Sequence, residues 1–146
     1  MLAFDENGHI IPDEPVIVDY ETFVRGFVVN DHRAEIFSEY KSMLQELSEL
    51  LGRGFYQWIN GSFTTRKPRP NDIDVVTFID YELYEANELN LREINQRYAK
   101  VDAYFVRNYP EGHPRRYITD YDRIEWLHLF STDRQRRKKG FIQINF

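Results

Sequence analysis

Asp72-Ile73-Asp74-Val75-Val76 sets two carboxylates two residues apart in an apolar run. In a strand this spacing projects both acids from one face and turns Ile73 and Val75 to the other. Two like charges so close repel, which favours either a raised pKa or a divalent cation, and hard oxygen ligands suit Mg2+ or Mn2+. An EF-hand loop is excluded, because Val, Val, Thr and Phe follow instead of polar ligands and a central glycine. Val101-Asp102-Ala103-Tyr104-Phe105 supplies a third acid, Asp102, in the same kind of setting. Upstream, Asn60-Gly61-Ser62 ends an aromatic-rich run, and nine residues separate Ser62 from Asp72. Glycine lets backbone amides approach a phosphate closely and the serine hydroxyl adds one donor, so triphosphate grip and metal ligands occur together.

The order Gly61-Ser62, Asp72-Ile73-Asp74, Asp102 resembles the DNA polymerase β-like nucleotidyltransferases, in particular their minimal single-domain members, over residues 55–106. The segment Gly-Ser-Phe-x-Thr-x-Lys-x-x-Pro-x-Asp-Ile-Asp is similar to that of a poorly characterised bacterial branch. The resemblance implies a nucleotidyltransferase fold and a two-metal reaction. Asp72, Asp74 and Asp102 would hold two Mg2+ or Mn2+ ions, with Asp102 the ligand or base nearest the acceptor. Gly61 and Ser62 would hold the β and γ phosphates of a nucleoside triphosphate such as ATP, and the nucleoside monophosphate would pass to a protein or RNA hydroxyl as pyrophosphate leaves. The chain departs from the minimal pattern after the serine. Phe63-Thr64-Thr65-Arg66-Lys67-Pro68 lacks the Arg-Gly pair, and Pro68 and Pro70 stiffen the spacer, so a loop is expected where relatives carry a short helix. Arg66 and Lys67 remain candidates for neutralising phosphates.

Each of these features has a plainer reading. Asp72 and Asp74 would suit a solvated edge strand, Asp102 a cap or ion pair, and Arg66 and Lys67 an exposed loop. Ser62 is not expected to be a hydrolase nucleophile, since no Gly-x-Ser-x-Gly elbow surrounds it and none of His9, His32, His113 and His128 stands in the context of its base. Net charge is -5, from 19 basic and 24 acidic residues, yet Arg134-Gln135-Arg136-Arg137-Lys138-Lys139 carries +5 and leaves the rest at -10. Arg136, Arg137, Lys138 and Lys139 are therefore candidate nucleic-acid contacts, set against a solvated hairpin or loop. Two further function classes stay open: a binding module acting as one half of a toxin-antitoxin or similar partner pair, and a nucleic-acid-binding domain led by the basic segment.

The elements that must carry these residues follow from periodicity. Apolar residues at Ile36, Phe37, Tyr40, Met43, Leu44, Leu47, Leu50 and Leu51 mark one helical face from His32 to Leu51, with Asp31 the expected N-cap and Gly52 and Gly54 the stop. Asp19 is expected to cap a short helix through Val28. Strands are expected at residues 16–18, 55–60, 72–79, 101–106 and 141–145, and helices at 81–100, broken near Asn87 to Asn90, and 120–130. This alternation predicts a single 146-residue domain of the α/β (α+β) class, a small mixed sheet backed by helices. With 42% apolar and 16% aromatic residues a sizeable core is available, and disorder throughout is excluded. The absence of cysteine removes disulfides, thiolate zinc sites and cysteine nucleophiles, and fits a reducing cytoplasm. No basic region followed by an apolar run opens the chain, and no apolar stretch nears ~18 residues, so neither secretion nor membrane spanning is expected.

Overall fold

A computed structural model describes residues 2–146; Met1 lies outside them. The central element is strand β5 (Ile73–Asp80), where Ile73, Val75, Val76, Phe78 and Ile79 are all buried. A near-continuous apolar run of this kind is what a strand covered on both faces requires. It pairs antiparallel with β4 (Tyr56–Asn60) and parallel with β6 (Val101–Asn108). Beyond β4 lie β7 (Phe141–Asn145) and β3 (Pro15–Ile17), giving a five-stranded mixed sheet in the order β3-β7-β4-β5-β6. A separate two-stranded hairpin, β1 (Ala3–Phe4) with β2 (Ile10–Ile11), precedes it.

Odd-numbered residues of β5 pack into the larger core under α1 (Tyr20–Phe27), α2 (Asp31–Leu51) and α4 (Glu88–Arg97). Even-numbered residues face α5 (Arg116–Phe130), where Val76 and Phe78 join Trp58, Val106, Phe130 and Phe141. The class is thus α+β, with helices on both faces of the sheet. A short helix, α3 (Tyr81–Ala86), precedes α4, and the break falls at Asn87. The α2 stripe buries Ile36, Tyr40, Met43, Leu47 and Leu51, and a hydrogen-bond chain fixes it to the sheet. Tyr40 Oη donates to Gln57 Oε1 at 2.6 Å, and Gln57 Nε2 donates to Thr77 Oγ1 at 3.1 Å.

Three expectations are corrected. The N-cap of α2 is Asn30, not Asp31: its Oδ1 accepts from Arg33 N at 2.8 Å while its Nδ2 donates to Pro68 O at 2.9 Å. Only an amide can do both, and Asp31 instead places its charge in the first turn. Helix α5 starts at Arg116, a turn before Asp120, because Thr119 Oγ1 accepts from Tyr109 N at 2.8 Å and donates to Arg107 O at 2.9 Å. That clamp to the end of β6 stabilises a turn that periodicity alone does not demand. Ahead of the expected strand at 16–18, the chain also forms a hairpin where only turns were expected.

Chain crossing is tightest at Gly140, whose N–H donates to Ile10 O. A Cβ there would lie 2.2 Å from Pro12 O and 3.1 Å from Glu14 O. Gly140→Ala must therefore push two backbone segments apart. We expect a loss of about 1–3 kcal/mol, read as a melting midpoint several degrees lower by calorimetry.

Candidate metal centre

Parallel pairing sets Asp74 directly opposite Asp102, and Asp72 precedes Asp74 on the same face. One carboxylate oxygen from each of the three lies within 4.8 Å of the others. Burial pushes the Asp72 carboxyl up, and the Asp102 charge adds to it. Asp74 is raised to about 7, first by burial, then by the charge of Asp72 and by Asp102. Three crowded hard oxygen donors, with Asp72 and Asp74 both pushed toward the protonated form, fit a divalent cation of the Mg2+ or Mn2+ kind.

The glycine of Gly61-Ser62 is demanded by the same site. Gly61 has φ +84°, and a Cβ on it would stand 2.8 Å from Asp74 Oδ2. Ser62–Thr64 forms one 3-10 turn and the chain then runs as a loop, in keeping with the expected lack of a longer helix. This loop is held by a residue that motif reasoning passed over. Arg33 is 2% exposed and its guanidinium donates to the carbonyls of Phe63 (2.7 Å), Thr65 (2.7 Å), Lys67 (2.6 Å) and Phe27 (3.1 Å). It also stacks over the Phe63 ring, 5.0 Å from the centroid. His32 Nε2 meets Pro70 O, so three residues at the start of α2 collect the loop's carbonyls. The signal was present: continuing the 36, 40, 43, 47 stripe back one turn puts position 33 on the buried face.

These groups open onto a cleft of about 1080 Å³. Gly61, Ser62, Arg66, Lys67, Asp72 and Asp74 line it, while Asp102 stands exposed beside it. The Arg66 guanidinium lies 4.5 Å over the Phe4 ring and the Arg66 backbone N–H donates to Gly8 O at 3.1 Å, which ties the loop to the β1–β2 hairpin. Lys67 and Arg134 oppose the upward shift of Asp72 with their charges.

The basic segment is a turn closed by a bridge between Thr132 and Lys138. Asp133 Oδ1 accepts from the amides of Gln135 and Arg137, and Asp133 Oδ2 pairs with the Arg137 guanidinium at 2.7 Å. Arg137 also donates to Asn7 Oδ1 at 3.0 Å. Of the four candidate nucleic-acid contacts, Arg136, Arg137 and Lys138 are exposed. Lys139 departs from that picture: it is 6% exposed and lines the cleft. Its backbone N–H is fixed to Ser131 O at 2.9 Å, and the Asp74 charge acts on its ammonium.

Comparison with protein families matches residues 2–145 to a family of unknown function (DUF6932), and the chain belongs to that family. Searches of curated proteins and of solved structures give no match.

Two outcomes follow from this geometry. Arg33→Met leaves the carbonyls of Phe63, Thr65 and Lys67 without their donor, and we expect a loss of about 3 kcal/mol or more in denaturant unfolding. For Asp74, the folded pKa of about 7 stands above the ordinary 3.8, so its contribution to stability is full below pH 3.8 and is lost as pH rises through 7. In chelator, the melting midpoint should therefore fall between pH 5 and pH 8 by more in the wild type than in Asp74→Asn. Equal slopes would mean that the carboxylate is not crowded.

Proposed function

We propose that the protein is a metal-dependent nucleotidyltransferase of the polymerase β-like kind, moving a nucleoside monophosphate from a nucleoside triphosphate to a protein or RNA hydroxyl. The observation that carries this reading is the convergence of Asp72, Asp74 and Asp102 beside a glycine-serine turn in one cleft. Asp72 and Asp74 would be the shared ligands of two divalent cations, which when bound supply Lewis acidity to the attacking hydroxyl and charge neutralisation to the triphosphate. The chain's own residues then divide the work. Asp102, the exposed member of the three, faces solvent from which an acceptor arrives, and it takes the hydroxyl proton. The hydroxyl oxygen bonds to the α phosphorus as the bond from that phosphorus to the bridging oxygen breaks. The departing pyrophosphate is held by Ser62 and the Gly61 backbone, with Arg66, Lys67 and Arg134 offsetting its charge. A reducing cytoplasm is the compartment that a cysteine-free chain suits, and among the described residues no helix is long and apolar enough to cross a membrane.

A second reading, one half of a partner pair, has one observation in its favour. Tyr117, Tyr121 and Ile124 form an exposed stripe on α5 at 69%, 61% and 65% exposure. It is separated from the first by purification. A stable stoichiometric partner retained unchanged by an Asp72→Asn, Asp74→Asn variant would favour binding over transfer.

The decisive experiment is to incubate the protein, alone and with cell extract, with each α-labelled nucleoside triphosphate and Mg2+ or Mn2+. We expect one acceptor to become labelled, and Asp74→Asn to reduce labelling by at least about 100-fold with the fold intact. Labelling that survives Asp74→Asn removes the metal assignment.

A further inference from the structure

His9, in the connection between β1 and β2, carries a buried polar atom without a hydrogen-bond partner in the protein. The residue is 6% exposed, lines the cleft, and keeps its Nδ1 buried without a hydrogen bond. Each ring nitrogen faces a carboxylate: Nδ1 lies 3.9 Å from Asp5 Oδ2 and Nε2 lies 3.5 Å from Asp133 Oδ2. An ionised carboxylate only accepts hydrogen bonds. A neutral imidazole has one N–H and one lone pair, so in either tautomer a lone pair confronts an oxygen, and only the imidazolium has a donor for both sides. Both gaps are up to about 1 Å longer than a charge-assisted hydrogen bond, so the ring and the two acids stand close to a contact that a proton would complete.

The two acids belong to different segments, and each shapes its own. Asp5 Oδ1 accepts from the amides of Asn7 at 2.8 Å and His9 at 3.0 Å and so forms the hairpin turn. Asp133 Oδ1 does the same for the basic turn, through the amides of Gln135 and Arg137. The hairpin depends on outside fastening, because its ladder has only the pairs Ala3↔Ile11 and Phe4↔Ile10, and so short a hairpin is marginal alone. Its other ties are Arg66 N to Gly8 O, Gly140 N to Ile10 O and Arg137 to Asn7 Oδ1, none of which gains or loses a proton near neutrality. The remaining charges on the surrounding segments are engaged elsewhere. Arg137 is paired with Asp133, Arg66 lies over Phe4, Lys139 answers to Asp74 and Asp133, Arg134 acts on Asp72, and Glu6 is exposed.

We propose that His9 is a proton-operated clasp: as imidazolium it bridges Asp5 and Asp133 and fastens the hairpin to the basic turn, and as neutral imidazole it lets that wall of the cleft loosen. The proton comes from solvent, and no covalent bond other than N–H changes. Since the fastened form is the one that holds the proton, the fastening is present in mild acid and is lost as pH rises. Imidazole is the side chain whose charge ordinarily changes between ~pH 5 and ~pH 8, so the hairpin is firmest at the lower end of that range and gives the cleft freest exchange with solvent at the upper end. Nothing in the clasp depends on what the cleft binds, so it stands or falls apart from nucleotidyl transfer.

The test is hydrogen exchange of the full chain in chelator, followed at the amides of Asp5 and Gly8, which bond to His9 O at 2.8 Å and Asp5 O at 3.0 Å within the hairpin. Corrected for intrinsic exchange, their protection should be about tenfold higher at ~pH 5 than at ~pH 8 in the wild type. In His9→Gln it should stay within about twofold of the wild-type value at ~pH 8 throughout. Asp133→Asn, which leaves the imidazole in place, should shrink the response to under about threefold and serves if His9→Gln does not fold. Asp74→Asn should keep the full response, because the carboxyl it removes lies in the sheet and not in the clasp. Nitrogen NMR of the wild-type ring supplies a reading that needs no variant: at ~pH 5 both ring nitrogens of His9 should carry a proton. A ring still neutral there, a wild type without a pH response, or a response that survives His9→Gln overturns the clasp. A response lost in Asp74→Asn assigns it to the sheet carboxylates and overturns the clasp as well.

Discussion

Mutual repulsion among three carboxylates is the constraint around which the rest of the protein is arranged. Strand register forces them together: β5 and β6 pair in parallel with Asp74 opposite Asp102, and the apolar residues on either side hold that register. A slip by one residue would turn Ile73, Val75 and Ile79 out of the larger core and Asp74 into it. The hydrophobic cores therefore hold the charges in place against their repulsion. With no cation the fold meets the conflict by keeping a proton on Asp74 up to about pH 7.

The loop between β4 and β5 faces a different shortage. It joins no sheet, and Pro68 and Pro70 bring carbonyls without amide donors. Helix α2 supplies what is missing from its first turn, through Asn30, His32 and above all Arg33. A buried guanidinium without a carboxylate is normally expensive, but here several carbonyl dipoles stand where a counter-ion would. The effect is to draw the loop's oxygens toward α2, away from the cleft where an anion would sit. Gly61 completes the arrangement from the other side, because only a residue without Cβ lets Asp74 lie against it.

Much of this was legible in the sequence because it rests on local pattern. The α2 stripe, the Asp19 cap, the break at Asn87 and the bounds of β7 all follow from periodicity and capping chemistry, and the structure has each. The aspartates and the glycine-serine turn were legible as a set because their spacing and flanking apolar residues are regular. What escaped was decided by contacts distant in sequence. The first turn of α5 depends on Thr119 meeting the end of β6, and the Asn30 cap depends on Pro68, 38 residues away. Lys139 reads as one more cation in a basic run. Only the crossing of residues 10–14 over Gly140 turns it inward.

The two faces of the same strands treat polar groups in opposite ways. Under α2, Tyr40, Gln57 and Thr77 satisfy one another in a closed chain, and Gln57 and Thr77 are fully buried. On the reverse face, past the end of α5, Asn60 Oδ1 is buried without a partner and the three aspartates crowd. Nothing in β-strand geometry requires this difference, since both faces draw on β4 and β5. It follows from where α5 stops: Phe130 still clusters with Trp58 and Phe141, and beyond it the sheet opens onto the cleft. The ring-rich cluster of Trp58, Phe78, Phe130 and Phe141 lies immediately beside the unsatisfied groups. Its burial offsets their cost and keeps the strands from twisting to relieve it. Rigid aromatic packing next to unpaired polar groups is therefore one device: the first fixes the geometry that leaves the second free for a ligand.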